Sequence, residues 1–264
     1  MPGGTARLLH HLDLGWLADE AERDPIRHAF ALWDATRMPE RTRFVVFESA
    51  SGARSYLLLW YGTPSTPVVH WVGDAEDDLL LLEEIPRTTE VAVVPERVAA
   101  RVVEARRATQ VHPVEVYRWE AGHRLEDPPA PRVRRLGPDA GPALAGFARH
   151  HPGRLTHAYA DLDLTAERVW GAFEGHELVG VARASVTLPS VWIISGVFVS
   201  PSHRGRGLGR DLATAATVAA AKAGAIPALY VRSDNVVAKG VYRSIGYSEI
   251  ARRVWLELPV GDRL

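Results

Sequence analysis

The 264-residue sequence contains no cysteine. That excludes a disulfide framework, a zinc–thiolate site and a cysteine nucleophile. Lysine is nearly missing too: Lys222 and Lys239 are the only two among 31 basic residues, the rest being arginine. Such a bias reads as genomic base composition and is weak evidence of thermal adaptation. No apolar run approaches the ~20 residues that a membrane helix needs. The opening stretch MPGGTARLLHHLDL lacks the apolar core and small-residue cleavage site of a secretory signal. The expectation is a cytoplasmic protein without membrane partners.

Hydrophobic residues make up 47% of the chain and charged residues 24%, the profile of a globular protein long enough for two ordinary domains. The net charge of −1 hides an uneven split. Residues 1–130 carry 14 arginines against 21 carboxylates, whereas residues 131–264 carry 17 basic against 11 acidic side chains. The second half is therefore the better host for a polyanion, but the whole chain is not basic enough to suggest a nucleic-acid binder.

The stretch LEDPPAPRV, Leu125 to Val133, has three prolines that remove backbone donors and keep the chain extended, as in a linker. The expected organisation is an N-terminal α/β domain over 1–124, a linker over 125–131 and a second domain over 132–264. In the first half, helical spacing covers LGWLADEAERDPIRHAFALWDAT, with a new start at Asp24-Pro25, and a hairpin turns at Ser51-Gly52. The acidic run Asp74 to Asp78 reads as a solvated helix start rather than a cation site. In the second half a hairpin turns at Glu174–Glu177 and a long strand follows over VWIISGVFVS. Next come an alanine-rich helix closed at Gly224, a strand PALYVR and a helix ending at Gly246. Antiparallel strands followed by a strand–helix–strand crossover predict an α/β (α+β) fold with a mixed sheet flanked by helices.

Between the long strand and the alanine-rich helix lies SPSHRGRGLGRDL. Its glycines Gly205, Gly207 and Gly209 let the backbone approach a ligand closely, and the helix behind them presents unpaired N–H groups and a positive dipole end. Arg204, Arg206 and Arg210 add positive charge, making a pyrophosphate cradle. Gly209-Arg210-Asp211 is not the Gly-Lys-Ser/Thr of a P-loop, and the glycine spacing is not GxGxxG.

The pattern Arg204-Gly205-Arg206-Gly207-Leu208-Gly209, preceded by Val199-Ser200-Pro201, resembles the acyl-CoA loop of GNAT-type N-acetyltransferases. Downstream, NVVAKGVYRSIGY is similar to the family's second CoA element, with Asn235, Ala238, Tyr242, Gly246 and Tyr247 in register. The resemblance runs from about Ile194 to Tyr247 and extends plausibly from Pro131 to the end. It implies a GNAT catalytic domain over 132–264 that uses acetyl-CoA as cosubstrate and no metal. Backbone groups of Val197, Phe198 and Val199 would meet the acyl carbonyl and pantetheine. Amides from Arg204 through Gly205, Arg206, Gly207, Leu208, Gly209 and Arg210 would hold the pyrophosphate. Asn235 would bond the pantetheine side, unless it serves only as a helix N-cap. Tyr242 would face the sulfur as general acid, with a packed helix tyrosine as the bland alternative.

One departure stands out. Where many family members carry a glutamate on the long strand, this chain has Ile193, and Ser195 is the one polar side chain inside that strand, a candidate to hold a water. His203, Glu174, His176, Asp161 and Asp163 are further candidates for the acceptor side. His150, His151 and His157 show no metal-ligand spacing. The first half resembles the N-terminal half of the glycine N-acyltransferase-like branch, implying a degenerate GNAT-like copy; an unrelated α/β cap is the alternative. The functional expectation is N-acylation of a small-molecule amine or amino acid by direct attack in a ternary complex. A non-catalytic acyl-CoA-binding or regulatory module, and a nucleotide-dependent enzyme using the loop as a generic phosphate cradle, are the rivals.

Overall fold

Runs rich in Val, Leu, Ile and aromatic residues form strands, and alanine- and leucine-spaced runs form helices, in the order expected of an α/β chain. The computed structural model describes residues 7–9, 14–62, 66–75, 77–123, 132–151, 159 and 162–259. Its contacts divide the chain into two units. The first holds residues 1–115, 232–234 and 251–264, and the second holds 116–231 and 235–250. The proline-rich segment 125–131, expected to be a linker, lies outside the described residues, as do His157 and Asp161.

The first unit contains β1 (Arg7–Leu9), α1 (Leu14–Arg23), α2 (Ala29–Arg37), β2 (Thr42–Glu48), β3 (Arg54–Trp60), β4 (Val68–Gly73), β5 (Val91–Pro95) and α3 (Glu96–Arg106). To these it adds the leading part of β6 (Gln110–Trp119) and the trailing part of β12 (Tyr247–Glu257). Its strand order is β1-β2-β3-β4-β5-β12-β6. The β1–β4 pairs are antiparallel, and β4 runs parallel to β5 from Val68↔Val91 to His70↔Val93. Side chains alternate between two faces. Phe47, Leu57 and Trp71 pack with Val98 and Val102 of α3 on one face. Phe44, Val46 and Tyr56 pack with Leu17 of α1 and Ala31 of α2 on the other. The strand β1 was not anticipated, since three residues are too few to show a period.

The second unit holds β7 (Val133–Arg135), α4 (Gly141–His150), β8 (Arg168–Glu174), β9 (Glu177–Thr187), β10 (Val191–Val199), α5 (Leu208–Lys222), β11 (Ile226–Arg232) and α6 (Val236–Ser244). It also takes the remaining parts of β6 and β12, in the order β7-β8-β9-β10-β11-β6-β12. Here β10 is antiparallel to β9 and parallel to β11, giving the expected mixed sheet. The alanines of α5 let it lie close to the strands: Leu212, Ala213, Ala216 and Ala220 pack on Val179, Ile194 and Leu229. Leu144 and Phe147 of α4 cover the other face with Val169 and Val181.

The acidic run of the first unit corrects an expectation. Asp78 is fully buried rather than solvated. It accepts hydrogen bonds from Trp71 Nε1 at 3.1 Å and Arg97 Nη1 at 2.8 Å. A carboxylate can be buried only when a partner offsets its lost hydration, and Arg97 is that partner.

Candidate functional site: the fork between β10 and β11

The parallel ladder between β10 and β11 runs from Val191↔Ile226 to Ile194↔Leu229 and stops, although β10 continues to Val199 and β11 to Arg232. Beyond Ile194 the β11-facing edge of β10 has no ladder partner. On its other edge the pairing with β9 slips between Ser195↔Arg183 and Phe198↔Val181. One extra residue there makes a β-bulge, which bends the strand and re-aims its groups. Gly196 sits in the bulge with φ +62°, a conformation that costs glycine little and other residues more. The sequence signal was present, because an isolated glycine in an apolar strand marks a bulge or a close backbone approach.

After β10 the chain makes a short turn over Pro201–His203 and reaches α5 through Gly205 (φ +76°) and Gly207 (φ +81°). Gly207 is the N-cap of α5, with no side chain to satisfy the first helical N–H groups. A Cβ built on Gly205 or Gly207 would meet nothing within 4 Å, so open space adjoins both. Leu208 anchors the helix start in the core, at 1% exposure, while the Gly209 position has only an ordinary contact with Val199. Cationic side chains surround this opening. Arg204 folds back over the Phe198 ring and donates Nε–H to the Val199 carbonyl at 3.1 Å. Arg206 is held by both oxygens of Glu174 at 2.6 and 2.9 Å. Arg132 donates to the Arg206 carbonyl and lies 3.4 Å from Asp211. Arg210 is exposed and makes no ion pair among the described residues.

Asn235 caps α6: its Oδ1 accepts from the Ala238 N–H at 3.1 Å. Tyr242, one turn further along α6, is half-buried, and burial pushes its phenol up to about 12. Its ring lies 5.9 Å from that of Tyr247, whose hydroxyl pairs with Thr217 at 2.8 Å. The phenol of Tyr242 thus keeps its proton at neutral pH and is suited to donate rather than abstract. Ser195 is half-buried on β10, beside the bulge, and its hydroxyl makes no hydrogen bond among the described residues.

The other candidates disperse. His203 and Glu174 meet at 3.6 Å, but beside the glycine loop. Arg206 and His203 hold the Glu174 carboxylate below its usual range. Asp163 is spent capping Thr165, whose N–H and hydroxyl both donate to it; His176 is exposed on the β8–β9 turn. His150 bonds the Gly146 carbonyl, and His151 stacks between Phe147 and Phe198, at 4.7 and 5.1 Å. Among the described residues no group of three or more acidic or histidine side chains could hold a metal. In the first unit, a cavity of about 400 Å³ is lined by Glu40, Arg41, Arg43, Tyr61 and Gly62. Its Arg43 guanidinium is committed to the Pro39, Glu40 and Thr42 carbonyls, and it assembles no acid–base pair of the kind chemistry needs.

Sequence reasoning missed Tyr159. It is 2% exposed and donates its hydroxyl to the Gly196 carbonyl at 2.8 Å. Its position, 37 residues from its partner in a stretch without clear period, left no local signal.

A forked pair of parallel strands, a glycine loop and an open helix N-terminus define a site for an extended, anionic, thioester-bearing cosubstrate. Residues 135–247 match the model of the Acetyltransferase (GNAT) family, and this region is a GNAT acetyltransferase domain. GNAT acetyltransferases use acetyl-CoA as cosubstrate. The chain is similar to N-alpha-acetyltransferase RimI of Mycobacterium tuberculosis, with 35% identity over 86 residues, 31% of this chain and 53% of that protein. It thus spans about half the length of that curated relative. Two solved structures share the fold over nearly the whole chain. A Drosophila melanogaster protein matches at 17% identity, covering 97% of this chain and 99% of its own, with a TM-score of 0.70. A GCN5-related N-acetyltransferase from Sphaerobacter thermophilus matches at 14% identity, covering 97% and 98%, with a TM-score of 0.63. Among the described residues no helix is long and apolar enough to cross a membrane.

Proposed function

We propose that the protein is an acetyl-CoA-dependent N-acyltransferase that acylates the primary amine of a small molecule or amino acid. The observation that carries the proposal is the β10–β11 fork opening directly onto the Gly205–Gly207 loop. Extended backbone beyond the fork offers unpaired groups to pantetheine, and the loop offers N–H groups and a dipole to pyrophosphate. The open space beside both left-handed glycines fits such a ligand.

When bound, acetyl-CoA supplies an activated acyl carbon, and the CoA thiol is the leaving group. The chain's own contributions follow from the site. Backbone N–H groups within Val197, Phe198 and Val199 would donate to the carbonyl oxygen as negative charge gathers there. Amides from Arg204 to Arg210 would hold the phosphates, and Asn235 would add a pantetheine contact beyond its role as a cap. Tyr242, protonated at working pH, would give its proton to the sulfur as the C–S bond breaks and the N–C bond forms. With no carboxylate among Val191–Val199, the attacking amine must arrive neutral or lose its proton to a water at Ser195. We place the activity in the cytoplasm.

We further propose that residues 132–264 form the catalytic domain, that 125–131 link it to 1–124, and that 1–124 derive from a second, degenerate copy of the same fold. The repeated element order supports this: a strand and helix, three antiparallel strands, a parallel strand, a helix and a closing strand occur in each unit.

The missing strand carboxylate favours one alternative, a non-catalytic acyl-CoA-binding module. Thiol release from acetyl-CoA with a panel of amines separates the two readings. Turnover that drops about 100-fold in Tyr242→Phe, with CoA binding kept, supports the enzyme. CoA binding without release for any amine supports the module, and absence of acetyl-CoA binding in calorimetry overturns both.

A further inference from the structure

The bulge in β10 is a strained feature, and strain persists only where the surroundings hold it. Tyr159 is what holds it. Its hydroxyl lies 2.8 Å from the Gly196 carbonyl, the usual length of a strong O–H···O bond. A Cβ on Gly196 would stand 2.5 Å from that same oxygen, so the phenol also closes the space that a side chain would need. The tyrosine is 2% exposed and packs with Leu144, Phe147 and Val181. Its anchor is therefore the α4 face of the sheet. Burial raises the phenol well above its ordinary value, the charge of Tyr242 adds to the rise, and Arg183 opposes it only in part. The group stays a hydrogen-bond donor across the working pH range.

The bond falls at a sensitive place. Gly196 immediately precedes Val197 to Val199, and it lies two residues past the last rung of the β10–β11 ladder. A rotation of the peptide after Gly196 would turn the Val197 N–H by a similar angle. We propose that Tyr159 is a positioning residue for acyl transfer: by holding the Gly196 carbonyl it fixes the bulge and aims the Val197–Val199 N–H groups. This rests on the acyltransferase reading above. Tyr159 donates to the chain rather than to the cosubstrate, so its removal costs alignment in the transition state and leaves cosubstrate binding nearly intact.

The test is Tyr159→Phe, which removes one oxygen and keeps the packing. The expected result is a kcat lowered about 30-fold, with KM for acetyl-CoA and Kd for CoA changed no more than about threefold. A second measurement follows the Val197 amide by ¹⁵N NMR. In the wild type this resonance should move further with acetyl-CoA than with CoA, and the difference should vanish in Tyr159→Phe. An unchanged kcat overturns the inference. So does a fall in kcat matched by equal weakening of CoA binding, the mark of a purely structural role. A wild type that neither binds nor turns over acetyl-CoA overturns instead the acyltransferase reading on which the inference stands.

Discussion

After the strand that enters its parallel ladder, each unit turns into a loop, and the two loops use charge in opposite ways. In the first unit β4 ends at Gly73 and the chain passes through Asp74, Asp77 and Asp78 to a turn over Asp78–Leu82. Asp78 is inside, held by Trp71 and Arg97, while Arg97 also donates to the Gly73 carbonyl at 3.0 Å. A carboxylate and a guanidinium fill the space, and each satisfies the other. In the second unit β10 ends at Val199, and glycines and arginines lead to the 15-residue helix α5. No acidic side chain lies within that loop; Glu174 reaches it only from the β8–β9 turn. The same topological position is neutralised from within in one unit and left cationic and open in the other. Loop charge, not element order, decides which copy can take an anionic cosubstrate.

The comparison can be broken at the first loop. Asp78→Ala leaves Trp71 and Arg97 without their buried acceptor and should lower unfolding stability by about 3 kcal/mol. The figure is at the low end for a buried pair because Arg97 retains 37% exposure. Urea titration checks it, and CoA affinity in the folded protein should be unchanged.

The second loop is the next largest target. Gly207→Val forces a β-branched residue to φ +81° at the cap of α5, and should weaken CoA binding about 100-fold with a smaller effect on stability. Calorimetry reads the affinity. Equal losses of stability and binding would show that the glycine serves folding rather than the ligand.

A third contrast lies in titratable groups, which the first unit buries under α1 and α2. His28, bonded to Tyr56 at 2.8 Å, and His70, stacked on Phe30, are both depressed to about 4, with burial as the main cause. Buried Asp34 is raised to about 7 by desolvation. The signs differ. Between about pH 4 and 6.5 the unfolded histidines bind protons that the folded ones refuse, so their contribution falls as pH falls. Over about pH 4 to 7 folded Asp34 holds a proton that the unfolded chain has lost, so its contribution falls as pH rises. The melting temperature of Asp34→Asn relative to wild type should therefore climb from pH 4 to 7 and level off above.

The smallest effect sharpens the comparison from the open side. Glu174→Gln releases Arg206 from its carboxylate partner, and CoA affinity should rise about threefold at low salt, less at high salt. A fall would mean that Glu174 orients Arg206 for the ligand.

Much of this contrast was legible in the residues themselves. The alternating glycines, the arginines and the Asn235–Tyr247 spacing announced strand, loop and helix because each depends on neighbours within a few positions. Asp78 misled for the opposite reason. Its partner Arg97 lies 19 residues away, and an acidic run looks the same whether its members face water or a guanidinium. The bulge at Gly196 had a sign, a glycine amid Ile, Ser and Val, but its lock by Tyr159 is a long-range contact with no periodicity to reveal it. For the same reason Tyr242 was placed with its phenol near the ordinary range, whereas burial lifts it to about 12.

The central claim is that the chain holds one acyl-CoA, in the second unit. Calorimetric titration of the full chain with acetyl-CoA tests it most directly, run beside Gly207→Val. The account predicts one molecule bound per chain, with that binding lost in the variant. Two molecules per chain, or one that survives Gly207→Val unchanged, would contradict it.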